Sequence, residues 1–383
     1  MKSHVGILYS LIFTCFGGKV FTQNYSKISE SPFLFEASYT GDVVNNLNGG
    51  IKSGSCYLGM ANFHINFDVG KAGWWNGAQF YVNAANTHGT SPTAKLLGDV
   101  QVASNIDAGN HTFIQELWMK QTIRNVEITV GLQDLNLEFA ASENGAVFLN
   151  SSFGILPSIS GNIAAPIFPL TTMGLTAKWN VNEETALLVA IYDGSPTNFD
   201  YNPHNLNWRI SSGDGVLAIT ELQKIIEIKE HPGTYKLGIY THNHLIELNF
   251  IPDFHDSLNN STFGIYGYAD QKVWQHAEKQ LGLFAQLGYS PSETSNNDLY
   301  FGFGANITGL FCSSKTDILG LAFAHANFND DLGSESAIEL TYQRQIAQNI
   351  FIQPDLQYII NPSGNSSNLG NCLVATLRFG VSF

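Results

Sequence analysis

The feature that most constrains this chain is the alternation of apolar and polar side chains within short segments. In the last eleven residues, Leu377, Phe379, Val381 and Phe383 fall on one side of an extended chain, and Arg378 falls on the other. Successive side chains of a strand point to opposite faces, so this segment predicts a strand with one apolar and one polar face. The apolar face suits either a dry protein core or lipid.

The same alternation recurs along most of the chain. It is found in segments 57–67, 126–132, 175–179, 235–239, 281–289, 301–307 and 352–360. The polar sides of these segments are mixed and mostly uncharged, which is typical of a watery lumen rather than a dry core.

Sparse charge narrows the class of protein further. Charged residues make up 13% of the chain, against about 25% in a typical soluble domain. No internal stretch reaches the roughly 18 consecutive apolar residues of a membrane helix. Because only helices and closed barrels satisfy their backbone groups in lipid, the pattern predicts an all-β fold, a transmembrane antiparallel β-barrel. A secreted, sugar-binding β-sandwich is the soluble alternative.

The N-terminus has the order of a secretory signal peptide. Lys2 and His4 precede an apolar run from Val5 to Phe16, which small and polar residues follow. This run is too short to span a membrane as a helix. Cys15 would suggest lipoprotein processing, but the bulky Phe13 argues against it. We therefore predict a signal peptide at residues 1–22, with an approximate cleavage point, and one barrel domain at residues 23–383.

The charge balance and the cysteines exclude several functions. The mature chain has 16 basic and 32 acidic residues, a formal charge of −16, which argues against a nucleic-acid partner. Cys56, Cys312 and Cys372 are far apart and indicate neither a zinc site nor a disulfide framework. No nucleotide-binding or metallopeptidase motif is present, so no cofactor is predicted.

Turn-rich stretches divide the alternating segments. They lie at Asn45 to Gly50, Asn86 to Pro92, Asp193 to Pro203, Ser211 to Gly215, Asp253 to Ser261, Ser290 to Asn297 and Asn361 to Asn371. Short and long connections alternate, as in a barrel with tight turns at one rim and loops at the other. About 361 mature residues at roughly 22 per strand and its loops give about sixteen strands, enough for an aqueous channel.

The longest segment without a strand pattern runs from Asp134 to Leu170. It is too long for a turn, and loops of this length are usually functional. Folded inward, it would narrow the channel and present polar side chains at the constriction, namely Asp134, Asn136, Glu138, Glu143, Asn144 and Asn150.

Several ordered motifs of this chain resemble those of the carbohydrate-selective outer-membrane porins of the OprB type. In the long segment they are Ser142-Glu143-Asn144, Phe148-Leu149-Asn150-Ser151-Ser152-Phe153-Gly154 and Ala165-Pro166-Ile167-Phe168-Pro169-Leu170. Thr87-His88-Gly89, Gly98-Asp99-Val100-Gln101, Tyr192-Asp193-Gly194 and the closing Gln353-Pro354-Asp355 stretch extend the likeness over nearly the whole mature chain. The resemblance implies a sixteen-stranded porin that passes small sugars through the outer membrane of a Gram-negative bacterium.

Aromatic and basic residues are further candidates for a sugar path. Sugar rings lie against aromatic faces, and their hydroxyls pair with charged and amide groups. Trp75 is predicted on a strand, although it and Trp74 also suit an interfacial aromatic belt; Trp118, Trp208 and Trp274 are open between the same two roles. Lys178 and Arg378 are predicted to face the lumen, either contacting sugar or completing an ion pair with a carboxylate such as Glu138.

An enzymatic or metal-binding role is disfavoured. Glu138 and Glu143 would have to act as a glycosidase pair without other support, and His242 with His244 would need further metal ligands. The sequence therefore predicts passive diffusion of glucose-like monosaccharides into the periplasm, with a plugged barrel of structural or adhesive role as the alternative. The predicted partners are small sugars, outer-membrane lipid and the barrel assembly machinery, which would recognise the terminal strand. Whether the chain forms a homo-oligomer is left open.

Overall fold

The structure is a computed structural model that describes residues 31–210, 213–243, 261–311, 316–329, 333–364 and 368–383. The predicted signal peptide, Cys15, His244 and Cys312 lie outside the described residues. Within the described ranges no helix is long and apolar enough to cross a membrane.

Sixteen antiparallel strands close into a barrel in which each strand pairs with its neighbours in sequence, and the last strand pairs with the first. They are β1 (Phe33–Gly50), β2 (Gly54–Asp68), β3 (Ala78–Gly89), β4 (His111–Ile123), β5 (Val126–Gln133), β6 (Thr172–Asn182), β7 (Thr185–Asp193), β8 (Val216–Ile228), β9 (His231–His242), β10 (Thr262–His276), β11 (Lys279–Tyr289), β12 (Asn297–Thr308), β13 (Ile318–Phe328), β14 (Ser334–Ala347), β15 (Ile350–Ile360) and β16 (Gly370–Ser382). The predicted fold class is confirmed, and the closed barrel rules out a sandwich.

In the described residues, helical structure is confined to short turns in the connections. These are α1 (Ser151–Gly154), α2 (Pro157–Ser160), a π-helical turn (Thr93–Leu97) and 3-10 turns at Leu135–Leu137, Gly145–Val147 and Ser292–Thr294. None of them belongs to the barrel wall.

Three local predictions are wrong. The stretch from Asn45 to Gly50 completes β1 instead of forming a turn, and the residues from Asn86 to Gly89, predicted to begin a turn-rich connection, complete β3. Trp74 and Trp75 lie in the connection between β2 and β3, because β3 begins only at Ala78. Many turn-forming residues surround these positions, and the sequence does not show where the hydrogen bonds of the sheet begin and end among them.

The barrel has a turn rim, which carries the two-residue turns and both ends of the described chain, and a loop rim, which carries the two inward loops. Aromatic side chains form a belt on the outer face near the turn rim. Phe33 stacks on Phe67 with 4.5 Å between ring centres, and Trp74 meets Phe67 edge-on at 5.5 Å. Trp179 and Trp274 are also exposed there. Such belts sit at membrane interfaces, and short turns face the periplasm in bacterial barrels.

The buried core lies inside the barrel. The second inward loop, residues 134–171, packs Phe139, Phe148, Phe153 and other apolar side chains against tyrosines of the inner wall such as Tyr266. The first inward loop, residues 90–110, packs Leu96, Leu97 and Ile106 against residues of β1, β2 and β16. The inward course of the longer loop was predicted from the sequence, whereas that of the shorter loop was not.

Glycines of β11 allow the second inward loop to approach the wall. A Cβ atom at Gly288 would overlap the side chain of Ser158, and one at Gly282 would overlap that of Asn144. The loop therefore lies directly against the wall, and this contact narrows the lumen from one side.

Candidate functional site

Carboxylates of the barrel wall hold the second inward loop in place by accepting hydrogen bonds from its backbone. Glu221 on β8 accepts from Ala140 N at 2.8 Å, and Asp270 on β10 accepts from Asn144 N at 2.8 Å. Farther along the loop, Glu339 on β14 accepts from the amides of Leu149 and Asn150. All three carboxyl groups are buried, and the loop amides supply hydrogen bonds that replace those lost with water.

The first inward loop is held in the same way and is joined to the second. Glu335 on β14 accepts from Val100 N and Gln101 N, each at 2.8 Å. The two loops then bond directly, through Asn105 N to Leu149 O at 2.8 Å and through Ser151 N to Val102 O at 2.9 Å. Together they form one constricting body inside the barrel.

Two of the predicted constriction residues hold the base of the second loop. Asp134 accepts hydrogen bonds from Asn136 N at 2.9 Å, Phe168 N at 3.0 Å and Gln115 Nε2 at 3.1 Å. Burial raises the pKa of Asp134 to about 6, although these hydrogen bonds oppose the rise. The Asn136 side chain donates to the carbonyls of Phe139, Ala140 and Gly154. These side chains shape the loop and are largely withdrawn from water.

Of the other predicted loop residues, Asn150 and Asn144 form hydrogen bonds within the protein, whereas Glu143 is exposed. Asn150 is fully buried, caps α1 by accepting from Ser152 N at 3.1 Å, and donates to Gln357 Oε1 at 3.3 Å. Asn144 donates to Leu283 O at 3.0 Å on the barrel wall. Glu143, beside it in sequence, is exposed.

Glu138 is brought into contact with lysines of the wall. Its Oε1 lies 3.4 Å from Lys120 Nζ on β4, and its Oε2 lies 3.8 Å from Lys178 Nζ on β6. Lys120 also lies 3.4 Å from Glu127 Oε2 on β5. All four side chains are partly exposed inside the barrel. We call Lys120, Glu127, Glu138 and Lys178 the charged cluster.

Sequence reasoning identified only Glu138 and Lys178 as members of the charged cluster. Glu127 occupies the polar side of the alternating segment 126–132, and Lys120 has the parity of Trp118 on β4. The alternation along each strand was the signal that could have pointed to Glu127 and Lys120. It gives the face of the sheet on which a side chain lies, but not which residues of neighbouring strands meet.

An aromatic pair adjoins the charged cluster. The indole of Trp118 stacks on the ring of Tyr81 with 4.8 Å between centres, and Lys120 Nζ lies 5.4 Å from the Trp118 ring centre. Trp118 Nε1 donates to Glu116 Oε1 at 3.0 Å. Glu116 is 2% exposed. The open question about Trp118 is therefore answered in favour of the interior face.

The remaining tryptophans lie away from this site. Trp75 is exposed at the turn rim and donates to Gln121 Oε1 at 2.9 Å. Trp208 belongs to a connection at the loop rim and donates to Asn205 O at 2.6 Å. Trp274 lies on the outer face. Trp75 is therefore not part of the charged cluster.

Arg378 faces the interior, as its parity predicts, but it is only 5% exposed. Its Nε and Nη2 donate to Asp42 Oδ1 and Oδ2 at 2.7 and 2.8 Å, and Nη2 also donates to Asn105 Oδ1 at 2.8 Å. The structure therefore places Arg378 at the closure between β16 and β1, apart from the charged cluster.

The metal hypothesis gains no support from the geometry. His242 is buried, and its Nε2 lies 2.7 Å from Gly194 O. The described part of the chain holds no group of three or more His, Cys, Asp or Glu residues that is arranged to bind a metal ion.

Comparison with known proteins agrees with this architecture. The family model described as the carbohydrate-selective porin, OprB family, matches residues 52–383. The chain belongs to the OprB family of carbohydrate-selective porins. The OprB resemblance of the loop motifs and the closing hairpin is thereby confirmed, and so is the predicted outer-membrane location.

Curated relatives of this OprB-family porin include Porin B of Pseudomonas aeruginosa, which is 24% identical over 94% of this chain and 89% of that protein. The putative porin QuiX of Acinetobacter baylyi is 22% identical over 93% of this chain and 90% of that protein. Among solved structures, the high-pH structure of Pseudomonas putida OprB superposes with a TM-score of 0.83 at 22% identity, covering 92% of this chain and 94% of that chain. Fold and family thus agree on a channel-forming protein that passes carbohydrates.

Proposed function

We propose that this porin conducts glucose-like monosaccharides by passive diffusion and selects them at the charged cluster. The observation that carries the proposal is the placement of Glu138, on the second inward loop, between Lys120 of β4 and Lys178 of β6, the two strands that flank β5. Glu138 is among the polar loop residues named from the sequence, and it contacts two basic side chains of the wall.

The cluster suits neutral polyols. Carboxylates accept hydrogen bonds and ammonium groups donate them, so neighbouring groups of both kinds match a sugar hydroxyl, which does both. An ion of either sign is attracted by one partner and repelled by the other. The Trp118 ring supplies an apolar surface beside the cluster for the C–H face of a pyranose.

The same arrangement favours release. Partly exposed ion pairs are individually weak, so Glu138, Lys120 and Lys178 can exchange partners with a passing sugar at small energetic cost. Permeation needs binding that is strong enough to select and weak enough to let the solute leave. We therefore expect millimolar rather than micromolar sugar affinity.

Current through single channels in planar bilayers tests the proposal. Glucose should reduce the current in a saturable way, and Glu138→Gln or Lys120→Met should raise the half-blocking concentration roughly three- to tenfold, the effect of one lost hydrogen bond. Glu184→Gln is the matched control, because Glu184 is exposed at the turn rim and pairs with Lys224. Silent membranes would favour the plugged barrel, and equal block in all variants would move the selective site elsewhere.

We also propose that the chain reaches the membrane through the signal peptide at residues 1–22 and that the barrel domain starts near residue 23. N-terminal sequencing of the membrane-extracted protein tests both, and a retained Met1 would contradict them.

A further inference from the structure

The second inward loop has an unusual backbone conformation two residues after Glu138. Ala140 has a φ of +52°, in the left-handed region that residues with a Cβ atom rarely adopt. Such a conformation persists only where the surroundings enforce it. The loop therefore needs a partner at this point to keep its course.

Glu221 is that partner. It is fully buried on β8, and its Oε2 accepts hydrogen bonds from Ala140 N and from Tyr266 Oη, each at 2.8 Å. Its Oε1 accepts from Gln223 Nε2 at 2.7 Å. The same Gln223 nitrogen lies 3.4 Å from the backbone oxygen of Glu138. Glu221 is thus connected to the loop on both sides of Phe139.

We infer that Glu221 is a positioning residue that fixes the Glu138 carboxylate between Lys120 and Lys178, through the left-handed turn at Ala140. The inference rests on the proposed function, because it assigns Glu221 the task of holding the group that selects the sugar. Glu221 itself does not touch the sugar, since its side chain is buried beneath the loop.

The chemistry of the position requires a carboxylate. Glu221 receives three hydrogen bonds, from a backbone amide, a phenol and a side-chain amide. A carboxylate only accepts and has two oxygens, whereas the amide of glutamine replaces one acceptor with a donor. Glutamine at this position would leave one of the three donors without its acceptor, and leucine would leave all three without one. The loop should therefore be held less firmly in Glu221→Gln and least firmly in Glu221→Leu.

The test compares the sugar affinity of Glu221→Gln, Glu221→Leu and Glu138→Gln, measured by glucose block of single-channel current. We expect Glu221→Leu to raise the half-blocking concentration nearly as much as Glu138→Gln and Glu221→Gln to raise it less. The effects of Glu221→Leu and Glu138→Gln should not add in the double variant, because both remove the same carboxylate from the cluster.

A second substitution separates positioning from general damage. Glycine adopts left-handed φ values without penalty, so Ala140→Gly in the Glu221→Leu background should restore part of the lost affinity. Glu335→Leu is the matched control, since Glu335 is an equally buried wall carboxylate that holds the first loop. Its effect should add to that of Glu138→Gln, and Ala140→Gly should not rescue it.

The outcomes distinguish the inference from the proposed function on which it rests. If Glu138→Gln leaves glucose block unchanged, the proposed function fails. Suppose instead that Glu138→Gln weakens glucose block. If the effect of Glu221→Leu then adds fully to that of Glu138→Gln, or if Ala140→Gly does not restore affinity in the Glu221→Leu background, only the positioning role fails. Heat-modifiable migration on gels verifies that each variant forms a barrel, and Glu221→Gln provides the comparison should Glu221→Leu not assemble.

Discussion

Arg378 on the last strand and Asp42 on the first form a buried two-point ion pair across the seam that closes the barrel, at 2.7 and 2.8 Å. The two residues are direct partners in the register of β1 and β16. Arg378 also reaches Asn105 of the first inward loop. A single guanidinium thus connects the closing seam to the constricting body.

Removing one member of this pair should be costly. Arg378→Met leaves the Asp42 carboxylate buried without its partner, for which a loss of about 3–5 kcal/mol is expected. The temperature at which the barrel loses its compact gel mobility should fall markedly. Arg378→Met combined with Asp42→Leu should recover part of the loss, because the Asp42 charge is then removed together with its partner. Unchanged mobility of the single variant would contradict a stabilising role for the pair.

The pH dependence of the loop base follows from Asp134. Burial raises its pKa to about 6, above about 3.9 in an unfolded chain, so the folded loop binds the proton more tightly than the unfolded one. The stabilising contribution is therefore fully present below about pH 3.9 and is lost as the pH rises through about 6.

Hydrogen exchange can measure this contribution. Protection of the loop amides around Asn136, corrected for intrinsic exchange rates, should decrease between pH 4 and 7. Asp134→Asn should flatten that dependence, since asparagine does not titrate. The same slope in both proteins would show that another group is responsible.

Ion selectivity should report the charges of the cluster separately. Glu138→Gln removes a partly exposed negative charge and should shift the zero-current potential in a KCl gradient toward anion preference. Lys178→Met should shift it toward cation preference. Lys224→Met is the control, because Lys224 pairs with Glu184 at the turn rim. An unchanged potential in both cluster variants would mean that these side chains lie off the ion path.

The terminal residue should matter for assembly more than for conduction. Phe383 is exposed on the outside of the barrel, and its backbone exchanges hydrogen bonds with Ala37, at 2.8 Å from Phe383 N and 3.2 Å from Ala37 N. Phe383→Ser keeps these backbone bonds and removes only the ring, which we propose the assembly machinery recognises. We expect a lower yield of heat-modifiable barrel in membranes and unchanged conductance of the barrels that form. Normal yield would contradict the recognition.

The sequence by itself determined the architecture. Alternation with a period of two is a local property, so it identified an apolar outer face and a polar lumen, and strand length together with chain length gave the strand number. It also singled out the segment after Gln133 as an inward loop and placed Arg378 and Lys178 on the interior face. These features need no knowledge of which strands are neighbours in space.

Only the tertiary structure decided which side chains meet. Asp42 and Arg378 are 336 residues apart and become partners through barrel closure. Glu138 meets Lys120 and Lys178 because the loop turns back over β4 and β6, and that course depends on Glu221, 81 residues from Ala140. Parity gives the face of a side chain, but its height on the wall depends on register. The bulge between β3 and β4 shifts that register at Gln115, three residues before Trp118.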